Sequence, residues 1–136
     1  MMLTDAGVLI ALFEPREIVN HSRCIEVYRS LNEPLITTLA CITEAMYFLG
    51  NLKGWASQKD LWRLIETESL VLYHLNQRDL IRMMALIEKY RDVPMDFADA
   101  SLVVAAEALR TQKIFTLDSD FTIYRINGRT SFEIIP

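Results

Sequence analysis

The chain has 136 residues, 51% of them hydrophobic, which suits a single domain over residues 1–136 with a substantial buried core. Its net charge of −4 counts against a module that grips nucleic acid by charge alone, but not against a metal-dependent nuclease, whose ligating carboxylates are themselves negative. No apolar run reaches membrane-spanning length, and the apolar N-terminus lacks a basic region and a small-residue cleavage site. Cys24 and Cys41 show no metal-ligand spacing, so a cytoplasmic protein with reduced core cysteines is expected.

Short apolar runs alternate with longer helical patterns. Met2–Thr4 reads as a strand and Ala6–Phe13 as a helix. Ile18–Leu31 is an amphipathic helix with Ile18, Ile25, Val27, Tyr28 and Leu31 toward one side. Pro34 ends it, and Leu35–Thr38 is a second strand. An apolar helix over Ala40–Leu49 stops at Gly50, with a turn at Asn51–Gly54. Trp55–Glu66 is amphipathic, and Leu70–Tyr73 is a third strand. Asn76 caps a helix to Tyr90, Pro94 breaks the chain, and Asp96 opens a helix to about Arg110. Ile114–Leu117 is a fourth strand, Ser119–Thr130 a loop or short helix, and Ser131–Ile135 a candidate fifth strand. Strands separated by helices imply right-handed crossovers and an α/β fold with a parallel sheet covered on both faces. Met83, Met84 and Met95, with Trp55, Trp62, Tyr73, Tyr90 and Phe97, read as core.

Acidic residues stand in apolar places. Asp5 is the only charge in Met1–Phe13, Glu44 the only one in Leu35–Leu49, and Asp96 and Asp99 the only ones in Val93–Ala106. Asp118 directly follows the fourth strand. A buried carboxylate must be protonated, paired or metal-bound, and these segments offer no local Lys or Arg. A divalent cation such as Mg²⁺ or Mn²⁺ resolves both the burial and the mutual repulsion of clustered carboxylates. Ligands of parallel sheets bind beyond the strands' carboxyl ends, where Asp5 and Asp118 fall. Each Asp also has an ordinary use: Asp5 and Asp96 as helix caps, Asp99 at a helix N-terminus, Asp118 in a turn. Glu44, in the middle of a helix among Ala40, Cys41, Tyr47 and Phe48, has no cap to make.

In this order the segments resemble the PIN-domain ribonucleases, and among them the VapC-type toxins of toxin–antitoxin pairs. The matching residues are LTDAGVLIAL with Asp5, TTLACITEAMYFL with Glu44, PMDFADASLVVAAE with Asp96 and Asp99, and IFTLDSDF with Thr116, Asp118 and Asp120. The resemblance runs from Met1 to Pro136. It implies a three-layer α/β/α fold with a mainly parallel sheet of four or five strands. It also implies Mg²⁺- or Mn²⁺-dependent cleavage of single-stranded RNA, a homodimer and a cognate antitoxin. Asp5, Glu44, Asp99 and Asp118, with Asp96 beside them, would hold the metal. Thr116 would orient Asp118 or a water, and Asp120 would stand behind the ligands. Arg125 and Arg129 are basic candidates for the RNA backbone.

Other readings stay open. Asp118–Thr122, DSDFT, resembles the nucleophile motif of haloacid-dehalogenase-type hydrolases, although that motif normally stands near the start of its domain. A PIN-like nuclease outside any toxin–antitoxin pair is another, and a non-catalytic acidic interaction module a third. His21 and His74 have no nucleophile beside them, and the glycines make no phosphate-binding loop.

Overall fold

In the computed structural model, which describes residues 1–136, the elements follow in this order: β1 (Met2–Thr4), α1 (Ala6–Phe13), α2 (Ile18–Ser30), β2 (Leu35–Thr38), α3 (Leu39–Lys53), α4 (Trp55–Glu66), β3 (Leu70–Tyr73), α5 (Gln77–Lys89), α6 (Phe97–Leu109), β4 (Lys113–Phe115), a 3₁₀ turn (Ser119–Thr122), β5 (Arg125–Ile126), β6 (Thr130–Ser131) and β7 (Glu133–Ile135). Five strands form one sheet in the order β3-β2-β1-β4-β7, and every pair in it is parallel. Strand order grows outward from β1 in both directions, so the chain changes direction between β1 and β4. That switch opens a crevice at the carboxyl ends of those two strands.

Burial explains the layers. All of β1 and β2 is buried, as both faces of a central parallel strand must be. Helix α6 is buried all round from Ala100 to Ala106, where small residues let it sit close to the sheet. It packs against α5, β1 and β2, while α1 to α4 pack on one another. The result is a mainly parallel five-stranded α/β sheet between helices, as the sequence implied.

Several details differ from the sequence reading. Helix α3 does not stop at Gly50 but runs to Lys53. A Cβ on Gly50 would meet Gln58 Nε2 at 2.5 Å, and that amide donates to the Met46 carbonyl at 2.9 Å. Gly50 is therefore a close-packing position against α4. The helix ends at Gly54, whose φ of +69° suits glycine. Ile18 points to solvent, and Cys24 is the buried residue of α2. Met84, Trp55, Trp62 and Phe97 are exposed, not core. Strand β4 ends at Phe115, two residues early, and Leu117 lines the crevice beyond it. The Ser119–Thr130 region holds the 3₁₀ turn and one arm of the antiparallel β5–β6 hairpin, which turns through Asn127 and Gly128 at φ 53° and 71°.

Candidate active site

Each Asp of interest begins a helical segment, and the capping geometry aims it. Asp5 leaves β1 and caps α1, its Oδ1 accepting the Val8 N–H at 3.0 Å. Asp118 follows β4 and caps the 3₁₀ turn, accepting the Asp120 N–H at 2.9 Å. Asp96 and Asp99 form a reciprocal capping box at the start of α6: Asp96 accepts the Asp99 N–H at 2.7 Å, and Asp99 accepts the Asp96 N–H at 3.4 Å. Glu44 stands in the middle of α3, exposed and without a hydrogen-bond partner. Capping and clustering are thus not alternatives. The caps turn Asp5, Asp96, Asp99 and Asp118 toward one cleft of about 320 Å³, which Glu44 also lines and which no Lys or Arg lines.

Two hydroxyls brace this cleft. The buried Thr116 donates to Asp5 Oδ2 and accepts the Asp118 N–H at 3.0 Å, tying the ends of β1 and β4 together. Tyr124 donates to Asp99 Oδ2 at 3.0 Å from a fully buried ring stacked edge-on against Tyr90 and Phe121. Asp120 does not line the cleft; its backbone N–H holds Asp118.

The electrostatics are those of crowded anions. Burial, offset by the Thr116 and Val8 hydrogen bonds, holds the Asp5 pKa above its ordinary value, and the charge on Asp118 adds to the rise. Asp99 is pushed up to about 7, first by burial and then by Asp96. Glu44, although its side chain is largely exposed, is raised by partial desolvation at the cleft wall, by Asp96 and by Asp5. Burial and Asp99 push the Tyr124 hydroxyl up, so it stays a proton donor. Carboxylates whose ionisation is resisted by one another are stabilised by a cation placed among them. All the donors are hard oxygens, the set that Mg²⁺ and Mn²⁺ prefer. No three acidic, His or Cys side chains stand within reach of one shared ion as placed. A hydrated Mg²⁺ needs only one or two carboxylates directly and keeps several waters. The residues fit such a cation.

Sequence reasoning missed three contributors. Tyr124 carries no local signal, and its role depends on a contact with α6 that no sequence pattern shows. Asn20 and Arg23 of α2 line the adjoining cleft beside Asp118. Arg125, one of the basic candidates for the RNA backbone, turns Nη1 into its own loop, where it donates to the carbonyls of Thr122, Ile123 and Tyr124.

A family model, described as the PIN domain, matches residues 2–127. The chain belongs to the PIN-domain family. Ribonuclease VapC26 of Mycobacterium tuberculosis (strain ATCC 25618 / H37Rv) is 26% identical to this PIN domain over 136 residues, covering 99% of the chain and 100% of the relative. Among solved structures, M. tuberculosis VapC20, a sarcin-ricin loop cleaving toxin, superposes with a TM-score of 0.82 at 14% identity, over 90% of this chain and 94% of that one. A toxin–antitoxin complex from Klebsiella pneumoniae superposes at 0.67 with 17% identity, over 89% and 90%. VapBC2 from Rickettsia felis, bound to a DNA fragment from its promoter, also superposes at 0.67, with 9% identity over 99% and 98%. At these identities the structures establish a shared PIN fold.

Proposed function

We propose that this PIN domain is a Mg²⁺- or Mn²⁺-dependent endoribonuclease that cleaves single-stranded RNA, acting as the toxin of a toxin–antitoxin pair. The observation that carries the reading is the cleft at the β1/β4 switch point, lined by Asp5, Glu44, Asp96, Asp99 and Asp118 and by no base. The full-length similarity to a ribonuclease supports RNA as substrate.

The chain's own groups have separable parts in this reading. Asp5, Glu44, Asp99 and Asp118 would hold the cation, one or two of them directly and the others through its waters, and Asp96 would hold it directly or through water. Once bound, the cation supplies a water of lowered pKa for in-line attack and positive charge for the phosphoryl oxygens. Thr116 fixes Asp5 and the Asp118 backbone, so the two strand ends keep one spacing. Tyr124 holds Asp99 in one orientation. Asp120 supports Asp118 through its backbone N–H.

An antitoxin and a second copy of the chain are the partners we propose. Two separate apolar faces support this. Tyr47, Phe48, Leu52, Trp55 and Trp62 are exposed on α3 and α4. Leu80, Met84 and Phe97 are exposed around an apolar groove between α5 and α6. Such patches on a small domain mark protein contacts. No helix is long and apolar enough to cross a membrane.

The test is cleavage of a labelled single-stranded RNA with Mn²⁺ by wild type and by Asp5→Asn, which keeps the α1 cap. Wild type should cut, a chelator should stop it, and the variant should be inactive. Equal cutting by both proteins, or cutting that survives the chelator, would remove the metal–carboxylate mechanism.

A further inference from the structure

A second cleft borders the acidic one at Asp118. Leu117 and Asp118 also line this second cleft of about 320 Å³, so the two adjoin along that segment. The second cleft is built differently. Its walls are Asn20 and Arg23 of α2, the Thr116–Ser119 segment with Thr122, and the end of β7 at Ile134 and Pro136. It contains one carboxylate, Asp118, and one base, Arg23. Arg23 is therefore the only cation lining either cleft.

This arginine is also uncommitted. The chain's side-chain ion pairs are Arg16–Glu14, Arg82–Glu107 and Arg91–Glu88. Arg125 turns Nη1 onto three carbonyls of its own loop. Arg23 is exposed, makes no ion pair or side-chain hydrogen bond, and does not close on Asp118 although both line the same cleft. The Asn20 amide, one turn earlier on the same helical face, is half-buried and equally without a side-chain partner. A folded chain that leaves both groups facing a polar cleft beside its acids has donors free for a ligand.

Charge decides which ligand. A nucleic acid strand reaching a cleft of five carboxylates is repelled on the way in, so a countercharge beside the acids has a clear use. A planar guanidinium presents the paired donors that match phosphate oxygens. A carboxamide both donates and accepts, which suits a ribose hydroxyl or a base edge. We propose that the second cleft is the subsite for the nucleotide flanking the scissile bond, with Arg23 on its phosphate and Asn20 on its sugar or base. Arg23 is a positioning residue here; it holds the strand and takes no part in the bond cleavage. The proposal rests on the RNA-cleaving reading above and adds to it where the strand lies.

Binding can be read apart from cleavage by anisotropy of a labelled single-stranded RNA with Ca²⁺ in place of Mn²⁺. Arg23→Ala should weaken binding about tenfold, the order expected for one charge-assisted phosphate contact. It should also reduce the slope of log affinity against log salt by about 0.7. Arg23→Lys keeps the charge but not the fork, and should restore the slope with only part of the affinity. A merely structural role would leave the salt slope unchanged. Unchanged affinity and slope in Arg23→Ala, or no RNA binding by wild type, would overturn the subsite. Arg23-dependent binding by a wild type that fails to cut with Mn²⁺ would leave the subsite standing and sink the nuclease.

Discussion

Removing the charge of Asp99 should stabilise the metal-free protein at neutral and alkaline pH. Asp99 carries a pKa of about 7, raised by burial and by Asp96. In the unfolded chain it titrates near 3.8. A carboxyl with a raised folded pKa favours the fold fully below the unfolded value and loses that contribution as pH rises to the folded one. Above pH 7 the difference amounts to roughly 4 kcal/mol without screening. Asp99 is only partly buried, so solvent screening reduces this to about 1–2 kcal/mol. Asp99→Asn is nearly isosteric, and its carbonyl oxygen can still accept from the Asp96 N–H and the Tyr124 hydroxyl. Urea unfolding with a chelator present should show the variant more stable than wild type by about 1–2 kcal/mol at pH 8. The gap should shrink below pH 7 and vanish near pH 4. Saturating Mn²⁺ should reverse the order, because the ion stabilises only the protein that binds it. A variant less stable than wild type at pH 8, or a gap that does not change with pH, would refute the reasoning.

Two further substitutions test the bracing groups. Thr116→Val removes the hydroxyl shared by Asp5 and the Asp118 N–H, and should cost about 1–3 kcal/mol in urea unfolding while lowering RNA cleavage. Retained stability and activity would show that the two strand ends need no tie. Tyr124→Phe removes a hydrogen bond that lowers the Asp99 pKa, so carboxyl-carbon NMR should find Asp99 titrating above its wild-type value of about 7. An unchanged or lower value would dismiss Tyr124 as a partner of the charge.

The first three strands were legible because each is a short apolar run followed by a helical period. Met2–Thr4, Leu35–Thr38 and Leu70–Tyr73 stand where the sequence puts them. Asp5 stood out as the lone charge of its segment, Asp118 as the acid directly after an apolar strand, and Glu44 as a charge in an apolar helix. The structure brings all of these into one cleft with Asp96 and Asp99. The misreadings share one cause, which is contact across the chain. Gly50 looked like a helix stop because its partner, Gln58, lies on the next helix. Met84, Trp55, Trp62 and Phe97 read as core because hydropathy reports what a residue tolerates, not which face is left uncovered. Arg23, on α2, shares a cleft with Asp118 only because the fold brings the two segments together, which no local pattern shows. The cap and ligand readings of Asp5, Asp96 and Asp118 competed on paper, whereas in the fold the cap is what points the carboxylate into the cleft.

The central claim is that this cleft binds a divalent cation through its carboxylates, and calorimetric titration with Mn²⁺ tests it most directly. Glu44 is the residue to change, since it is exposed, caps no helix and has no hydrogen bond to lose, so Glu44→Gln should alter folding stability by no more than about 0.5 kcal/mol. Wild type should show a saturable Mn²⁺ site, weakened about tenfold or more in Glu44→Gln. No saturable heat in wild type, or identical isotherms for the two proteins, would contradict the account.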